Sequence, residues 1–531
     1  MRTIAKKKQA SATIKHIFVL MLENRSFDHM LGFAGLSGTD AATGEPTRVN
    51  DLVGNSHFNV DPKDPGTQVP ATWPAELKMY SPDVDPGHEF DNVLMQLCGT
   101  SACYPDLGTK KYPPINSSGF IASYRKSNSP SPAKIMKCFS PDQVPVLTAL
   151  AREFAVCDHW FASMPGPTWP NRFFVHAASS GGLDDSPSSF EEATATLLDG
   201  YSFQNRTIYD RLDAKGIQWV VFMGDELPQV FAIHRMTEAR IEDRFREFDQ
   251  FAEMVSDPNF PYSYVFIEPS YGNVLPLTPG DYTCGSSQHC LDDVARGEKL
   301  IKTVYEAIRK SPLWNNSLLL VTYDEHGGFY DHIPPPATVS PGDKISDAKN
   351  NHHNFDFTQL GVRVPAIVIS PFIPAGTIDH STHEHCSLLA AVENVFNLDP
   401  LTDRDRRDRE VNYNLAQLLS LGTPRTDAPT SLPNPAESGF HCEGDDDSKT
   451  KADDPSPPVS RGEAHPGPIE PSLRGWLHVA FLRHYRLVPE AERESVKKNF
   501  LNIRDRVDAL NYMKYVNKII VESRPKPKPG R

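Results

Sequence analysis

Glu23 and Asn24 stand directly after an apolar run, inside the segment Glu23-Asn24-Arg25-Ser26-Phe27-Asp28-His29. A carboxylate beside a carboxamide offers two hard oxygen donors, the kind a divalent cation prefers. The same residue types would also make an Asx turn with Arg25 paired to Asp28. Asp324 and Glu325 follow a second apolar run and lead into His326-Gly327-Gly328. Adjacent carboxylates at the end of a buried strand repel unless a positive charge lies near them, and a metal ion is the economical answer. Gly327-Gly328 permits the sharp turn that brings loop atoms up to a ligand. Thr168, in Met164-Pro-Gly-Pro-Thr168-Trp-Pro-Asn-Arg172, is expected at the N-cap of a helix running through residues 173–178, with Pro170 in its first turn. A hydroxyl there faces unpaired N–H groups and the positive end of the helix dipole, which suits a phosphate. Arg172 could add charge-assisted bonds to phosphate oxygens; a simple threonine cap fits the same pattern. His88 in Asp85-Pro-Gly-His88, His289 in Ser287-Gln-His-Cys290 and His385 in His383-Glu384-His385 complete the set. Each imidazole could hold a phosphoryl oxygen or protonate a leaving alkoxide, and each taken alone fits a structural role as well.

These residues need rigid supports, and the chain supplies candidates. Short runs of β-branched and aromatic residues occur at 16–22, 154–157, 219–223, 264–267, 318–323 and 364–370. Continuous rather than alternating apolar runs predict strands buried on both faces, as in a parallel sheet covered by helices. Helical spacing appears at 293–310, with Ile301, Val304, Tyr305 and Ile308 on one face, and at 386–396, with Leu388, Leu389 and Val392 inward. Alternating strands and helices predict an α/β domain whose chemistry gathers at the carboxyl ends of the strands. Glu23, Asp158, Asp225, Glu268 and Asp324 all fall at such ends.

The 531 residues suffice for one large catalytic domain with an appendage. Lys plus Arg is 54 against 68 for Asp plus Glu, a net charge of −14 that argues against non-specific nucleic-acid binding but not against a local anionic substrate. No apolar run approaches the ~18 residues of a membrane span. The basic N-terminus lacks a cleavage pattern after residues 17–22, so a cytoplasmic location is the default expectation, with export the alternative should a leader have been removed. Among eight cysteines, Cys98/Cys103 and Cys284/Cys290 could close small disulfide loops or remain thiols, which leaves the redox compartment open. The expected division is a catalytic domain at 1–421, a Pro- and Asp-rich linker at 422–472, a helical segment at 473–523 with Trp476, Phe481 and Tyr485, and a basic tail at 524–531.

Taken together, IKHIFVLMLENRSFDHMLGF, DPGH, PGPTWPNR, SPLWNNSLLLVTYDEHGGFYDHIPPP, GVRVPAIVISPFI and HEHCSLLAAVENVFNL resemble a phosphoesterase family. That family includes bacterial phospholipases C, plant non-specific phospholipases C and acid phosphatases of the A type. The resemblance runs from about Ile14 to Asp405. It implies an alkaline-phosphatase-like α/β fold, with a central, mostly parallel sheet sandwiched by helices and a small C-terminal helical appendage. It further implies a divalent metal ion (Ca, Mg, Mn or Zn) on Glu23, Asn24, Thr168, Asp324 and Glu325, with Thr168 as nucleophile. His88, His289, His385 and Arg172 take the remaining catalytic roles. The implied activity is phosphoric ester hydrolysis, foremost a phospholipase C passing through a phosphothreonine; a phosphatase or phosphodiesterase on soluble esters is the alternative. The implied partners are a phospholipid or small phosphate ester, with peripheral membrane contact and no nucleic acid. The Asp-Glu pair departs from the Asp-Asp of some relatives. The Ser/Cys-x-Pro-x-Arg echo of sulfatases fails on Thr168, which cannot become formylglycine.

Overall fold

The run at residues 16–22 is strand β1 (His16–Leu22), buried from Ile17 onward, and lies near the middle of a ten-stranded sheet in this computed structural model. The structure describes residues 14–77, 84–109, 111–187, 200–236, 238–272, 284–344, 350–410, 415–439, 469 and 471–523. The other strands of the sheet are β2 (Ser37–Asp40), β3 (Pro46–Arg48), β4 (Ala155–Cys157), β5 (Trp219–Met223), β6 (Phe245–Glu247), β7 (Tyr264–Glu268), β8 (Ser317–Tyr323), β9 (Ala366–Ile369) and β10 (Thr377–Asp379). Their order is β3-β2-β10-β4-β9-β8-β1-β7-β5-β6. All six predicted runs are strands. The block β8-β1-β7-β5-β6 is parallel, whereas β9 pairs antiparallel with both β8 and β4.

Helices cover the sheet where their spacing places apolar residues. They include α1 (Phe27–Leu31), α2 (Thr168–Ala177), α3 (Val294–Lys310) and α4 (His385–Phe396). Helix α3 starts at Asp293, whose side chain accepts from Ala295 N, and buries Leu300, Ile301, Val304, Tyr305 and Ile308. Each such side chain contributes roughly 1.5–3 kcal/mol when fully buried. Helix α4 opens with a reciprocal cap between Glu384 and Ser387 and closes at Asn397 in the left-handed region, so its register is held at both ends.

The expected C-terminal helical appendage is present, and its first helix, α5 (Pro471–Leu487), packs on the main body. Trp476 and Leu477 belong to the main core, and the Trp476 ring lies 4.4 Å from that of Tyr271 and 5.6 Å from that of Trp169. At Gly475 a Cβ would sit 2.0 Å from the Trp169 ring. Gly475→Ala should therefore lower stability, although alanine favours a helix by about 1 kcal/mol over glycine. Overpacking of this kind costs about 1–3 kcal/mol, and a urea midpoint that rose would contradict the close approach.

The start of the expected linker also packs: Tyr305 Oη donates to Pro429 O at 2.6 Å and Arg309 Nη2 to Ala428 O at 2.9 Å. The rest of that segment, at 440–468, and the tail at 524–531 lie outside the described residues, as does the basic start at 1–13. Cys98, Cys103 and Cys290 are thiols while Cys284 is disulfide-bonded, so neither short-spaced pair closes a loop. No helix among the described residues is long and apolar enough to cross a membrane.

Candidate active site

Strands β1 and β8 pair in register, Leu22 opposite Tyr323, so the residues that follow each strand emerge side by side. Asn24 N donates to Asp324 Oδ1 at 3.1 Å, with Asn24 in the left-handed region at φ 58°. Gly327 closes over this pair; with φ +63° and a Cβ position 2.2 Å from Asn24 O, only glycine fits.

Helix α2 brings the hydroxyl. Its N-cap is Pro167 rather than Thr168, which is the first helical residue, so the Thr168 hydroxyl does not cap the helix. It donates instead to Asn24 Oδ1 at 3.1 Å. Asn171, one turn on, fixes the preceding loop by accepting from Met164 N at 3.1 Å and donating to Gly166 O at 2.9 Å and Pro167 O at 3.0 Å.

Arg172 is engaged first with the acids. Its Nε donates to Asp324 Oδ2 at 2.9 Å, its Nη2 to Leu22 O at 3.2 Å, and Nη2 is 3.8 Å from Glu23 Oε1. The guanidinium is thus part of the answer to the crowded carboxylates, and Nη1 alone lacks a hydrogen-bond partner among the described residues. Glu23 Oε2 and Glu325 Oε1 are likewise buried and unpartnered. Burial raises Glu23 and Asp324 against the pull of Arg172, and raises Glu325 to about 7 against that of His88.

The histidines separate into two kinds. His88 and His289 face one another with ring centroids 6.3 Å apart, and with Asp85 they form a set whose ligand atoms lie within 4.8 Å. The predicted acids Glu23, Asp324 and Glu325 are not among the described groups converging that closely. Burial disfavours the charge on His88, but Glu325, Asp85 and Glu89 outweigh it and hold that imidazole at about 9. Burial takes His289 down to about 4, although Asp85 opposes the shift. His385 lies apart from this pair in its bonding. Its Nε2 meets Asp324 O at 2.6 Å and its Nδ1 faces Trp160 Nε1 at 3.4 Å. Both ring nitrogens are therefore engaged, and His385 holds the backbone of an acid.

Arg25 is not paired with Asp28. It donates to Gln288 O at 2.7 Å and His289 O at 3.1 Å, and so sets the His289 loop. Asp28 instead joins a buried cluster that residue-by-residue reading missed. Arg363 donates to Asp28 Oδ1 at 2.8 Å and to Asp331 Oδ1 at 3.1 Å, and His332 Nδ1 lies 2.7 Å from Asp28 Oδ2. The available signal was position: Asp28 lies in the Glu23–His29 segment, and Asp331-His332 follow Gly327-Gly328 after two intervening residues.

Residues 14–399 match the profile of the phosphoesterase family. Non-specific phospholipase C3 of Arabidopsis thaliana is 34% identical, the match covering 80% of this chain and 77% of that one. Non-specific phospholipase C5 of the same plant is 35% identical, covering 81% and 79%. The non-hemolytic phospholipase C of Burkholderia pseudomallei is 25% identical, covering 72% and 55%. Among solved structures, the phosphonate monoester hydrolase of Agrobacterium radiobacter aligns at 11% identity with a TM-score of 0.29 over 49% of this chain and 70% of that one, too distant to argue from.

Proposed function

This chain belongs to the phosphoesterase family and is a phosphoric ester hydrolase; we propose that it is a phospholipase C in which Thr168 attacks the phosphorus of a glycerophospholipid. The observation that carries this reading is the buried Thr168 hydroxyl, 3.1 Å from Asn24 at the start of α2, beside carboxylates that retain unpartnered oxygens. A buried anionic oxygen without a partner is costly, and hard oxygen donors suit a divalent cation. Glu23, Asn24, Asp324 and Glu325, with Thr168 Oγ1, would hold it. Bound there, such an ion would polarise a phosphoryl oxygen and acidify the threonine hydroxyl.

The protein's own groups do the rest. Thr168 Oγ1 releases its proton to solvent and forms a bond to phosphorus as the bond to the glycerol oxygen breaks in line. The first N–H groups of α2 and Arg172 Nη1 favour the phosphoryl charge. His88, which Glu325, Asp85 and Glu89 favour in its charged form against burial, gives its proton to the departing diacylglycerol alkoxide. His289, kept neutral, takes a proton from the water that attacks phosphorus; Thr168 Oγ1 leaves and is reprotonated from solvent, and the phosphorylated head group is freed. Two imidazoles held on opposite sides of neutrality are the arrangement that paired acid and base roles require. Exposed Trp73, Phe58 and Leu107 supply apolar surface for peripheral contact with a bilayer.

Purified enzyme, stripped and reloaded with a divalent metal, should hydrolyse phosphatidylcholine vesicles faster than p-nitrophenyl phosphate at matched concentration. Faster turnover of the soluble ester would favour the phosphatase reading instead. Asp324→Asn should lower both bound metal and activity, because an amide supplies less charge to a hard cation. Full metal occupancy in that variant would remove Asp324 as a ligand. Since Glu325 stands at about 7 without metal, protons compete with the ion below that pH. Metal affinity should rise between about pH 6 and pH 8, and a flat profile by titration calorimetry would count against Glu325.

A further inference from the structure

Away from Thr168, strands β4 and β10 run parallel and end side by side, Cys157 opposite Asp379. The residues just beyond these ends form a cluster that the phosphoester chemistry does not use. Asp158 is fully buried; its Oδ2 accepts from Asn50 N at 2.7 Å, its Oδ1 lies 3.0 Å from His159 Nδ1, and its two oxygens lie 2.8 and 2.9 Å from His380 Nδ1. The far nitrogen of His380 is 2.9 Å from Thr47 Oγ1, with Asp40 Oδ2 at 3.9 Å. The imidazoles are 25% and 30% exposed, so one side of the cluster opens to solvent.

We propose that Asp158, His159 and His380 form a second metal site, for a zinc-class divalent transition-metal ion. One carboxylate oxygen and two imidazole nitrogens, all within 4.8 Å of one another, make a donor set that suits such an ion. Ligands at about 2.0–2.1 Å around a tetrahedral ion stand about 3.3 Å apart. The present contacts of 2.8–3.0 Å would need to open by only a few tenths of an ångström. The outer contacts point the same way. Metal-bound histidines are held from behind by an acceptor on the other ring nitrogen, and Thr47 Oγ1, with Asp40 Oδ2 near the same nitrogen, provides that for His380. Asp158 is preset as well, its carbonyl accepting from Arg363 Nη1 at 2.8 Å and its N–H donating to Asp379 O at 3.1 Å.

In the metal-free protein each Nδ1 facing Asp158 must carry a proton, since two acceptors would otherwise confront each other. A metal ion replaces those protons, and water completes its coordination on the open side. The nitrogen-rich donors separate this site from the oxygen-rich one at Glu23 and Asp324, so magnesium should not fill it. Occupancy would tie the end of β4 to the segment that runs from His380 to His385, the residue bonded to Asp324 O.

The test is equilibrium dialysis of the full chain against Zn²⁺, with metal analysis. Wild type should bind one equivalent more than the double variant His159→Gln/His380→Gln. The catalytic-site variant Glu23→Gln/Asp324→Asn should keep that equivalent. His159→Gln alone, at a partly exposed position that should fold normally, should weaken the extra equivalent by about 10-fold or more. Equal Zn²⁺ stoichiometry in the wild type and the double variant, both folded by circular dichroism, would overturn the site and leave hydrogen bonding as the whole role of the cluster.

Discussion

Thr168→Ala should lower kcat on phosphatidylcholine by about 10⁴-fold or more, the scale seen when a nucleophile is removed from a preorganised site, while leaving the protein folded. The second half of that expectation follows from where the hydroxyl sits. Pro167, not Thr168, caps α2, and the one hydrogen bond the hydroxyl donates is to Asn24 Oδ1. Losing a single such bond costs about 1 kcal/mol, well inside the stability of a domain this size. Thermal unfolding should therefore barely change while turnover collapses. A chemical readout strengthens the assignment: acid-quenched wild type, incubated with substrate labelled at phosphorus, should carry phosphothreonine, and the alanine variant should carry none. Thr168→Ser, which keeps an oxygen at the same place, should recover part of the rate. An alanine variant with more than about 1% of wild-type kcat would exclude Thr168 as nucleophile.

What could be read from the sequence was what strand burial and motif position control. The runs ending at Leu22 and Tyr323 are apolar because both faces of β1 and β8 are covered, so their ends, and the acids beyond, were legible. Strands β2, β3, β6 and β10 are three or four residues long, and the first two alternate between exposed and half-buried positions, so they carry no comparable pattern. The antiparallel direction of β9 is invisible to composition, since a strand buried on both faces looks the same in either direction. Residue type suggested phosphate contact for Arg172 and His385; it could not show that long-range geometry also binds Arg172 Nε and Nη2 to Asp324 and Leu22 O, and His385 Nε2 to Asp324 O. The carboxylate crowding at residues 324–325 was correctly read as needing positive charge; that part of it comes from a helix 152 residues away was not readable.

The cluster at Arg363 leads to the second large effect. Asp28 follows the Glu23-Asn24 loop, and Asp331 follows the Asp324-Glu325 loop; Arg363 bonds both and is itself fully buried. Asp28 N also donates to Asp331 Oδ2 at 3.0 Å, and His332 N to Asp28 Oδ2 at 2.7 Å, so the two loops are stitched together behind the proposed metal ligands. Arg363→Ala would leave two buried carboxylates without their cation. Removing one partner of a buried ion pair costs about 3–5 kcal/mol, a large share of the ~5–15 kcal/mol that holds a typical domain together. The urea midpoint should fall accordingly. Activity should fall further than the unfolded fraction explains, because the spacing of the Glu23-Asn24 and Asp324-Glu325 loops then loosens and displacements of about 1 Å at a reacting centre can cost 100-fold. The triple variant Asp28→Asn/Asp331→Asn/Arg363→Met separates the two effects. With no charge left unpaired it should regain much of the stability, yet remain poor in kcat and in metal affinity if the clamp positions the loops. Recovery of both stability and kcat in that variant would reduce the cluster to a purely structural ion network. A loss below about 1 kcal/mol in Arg363→Ala, as for an exposed pair, would show that the carboxylates do not depend on Arg363 at all.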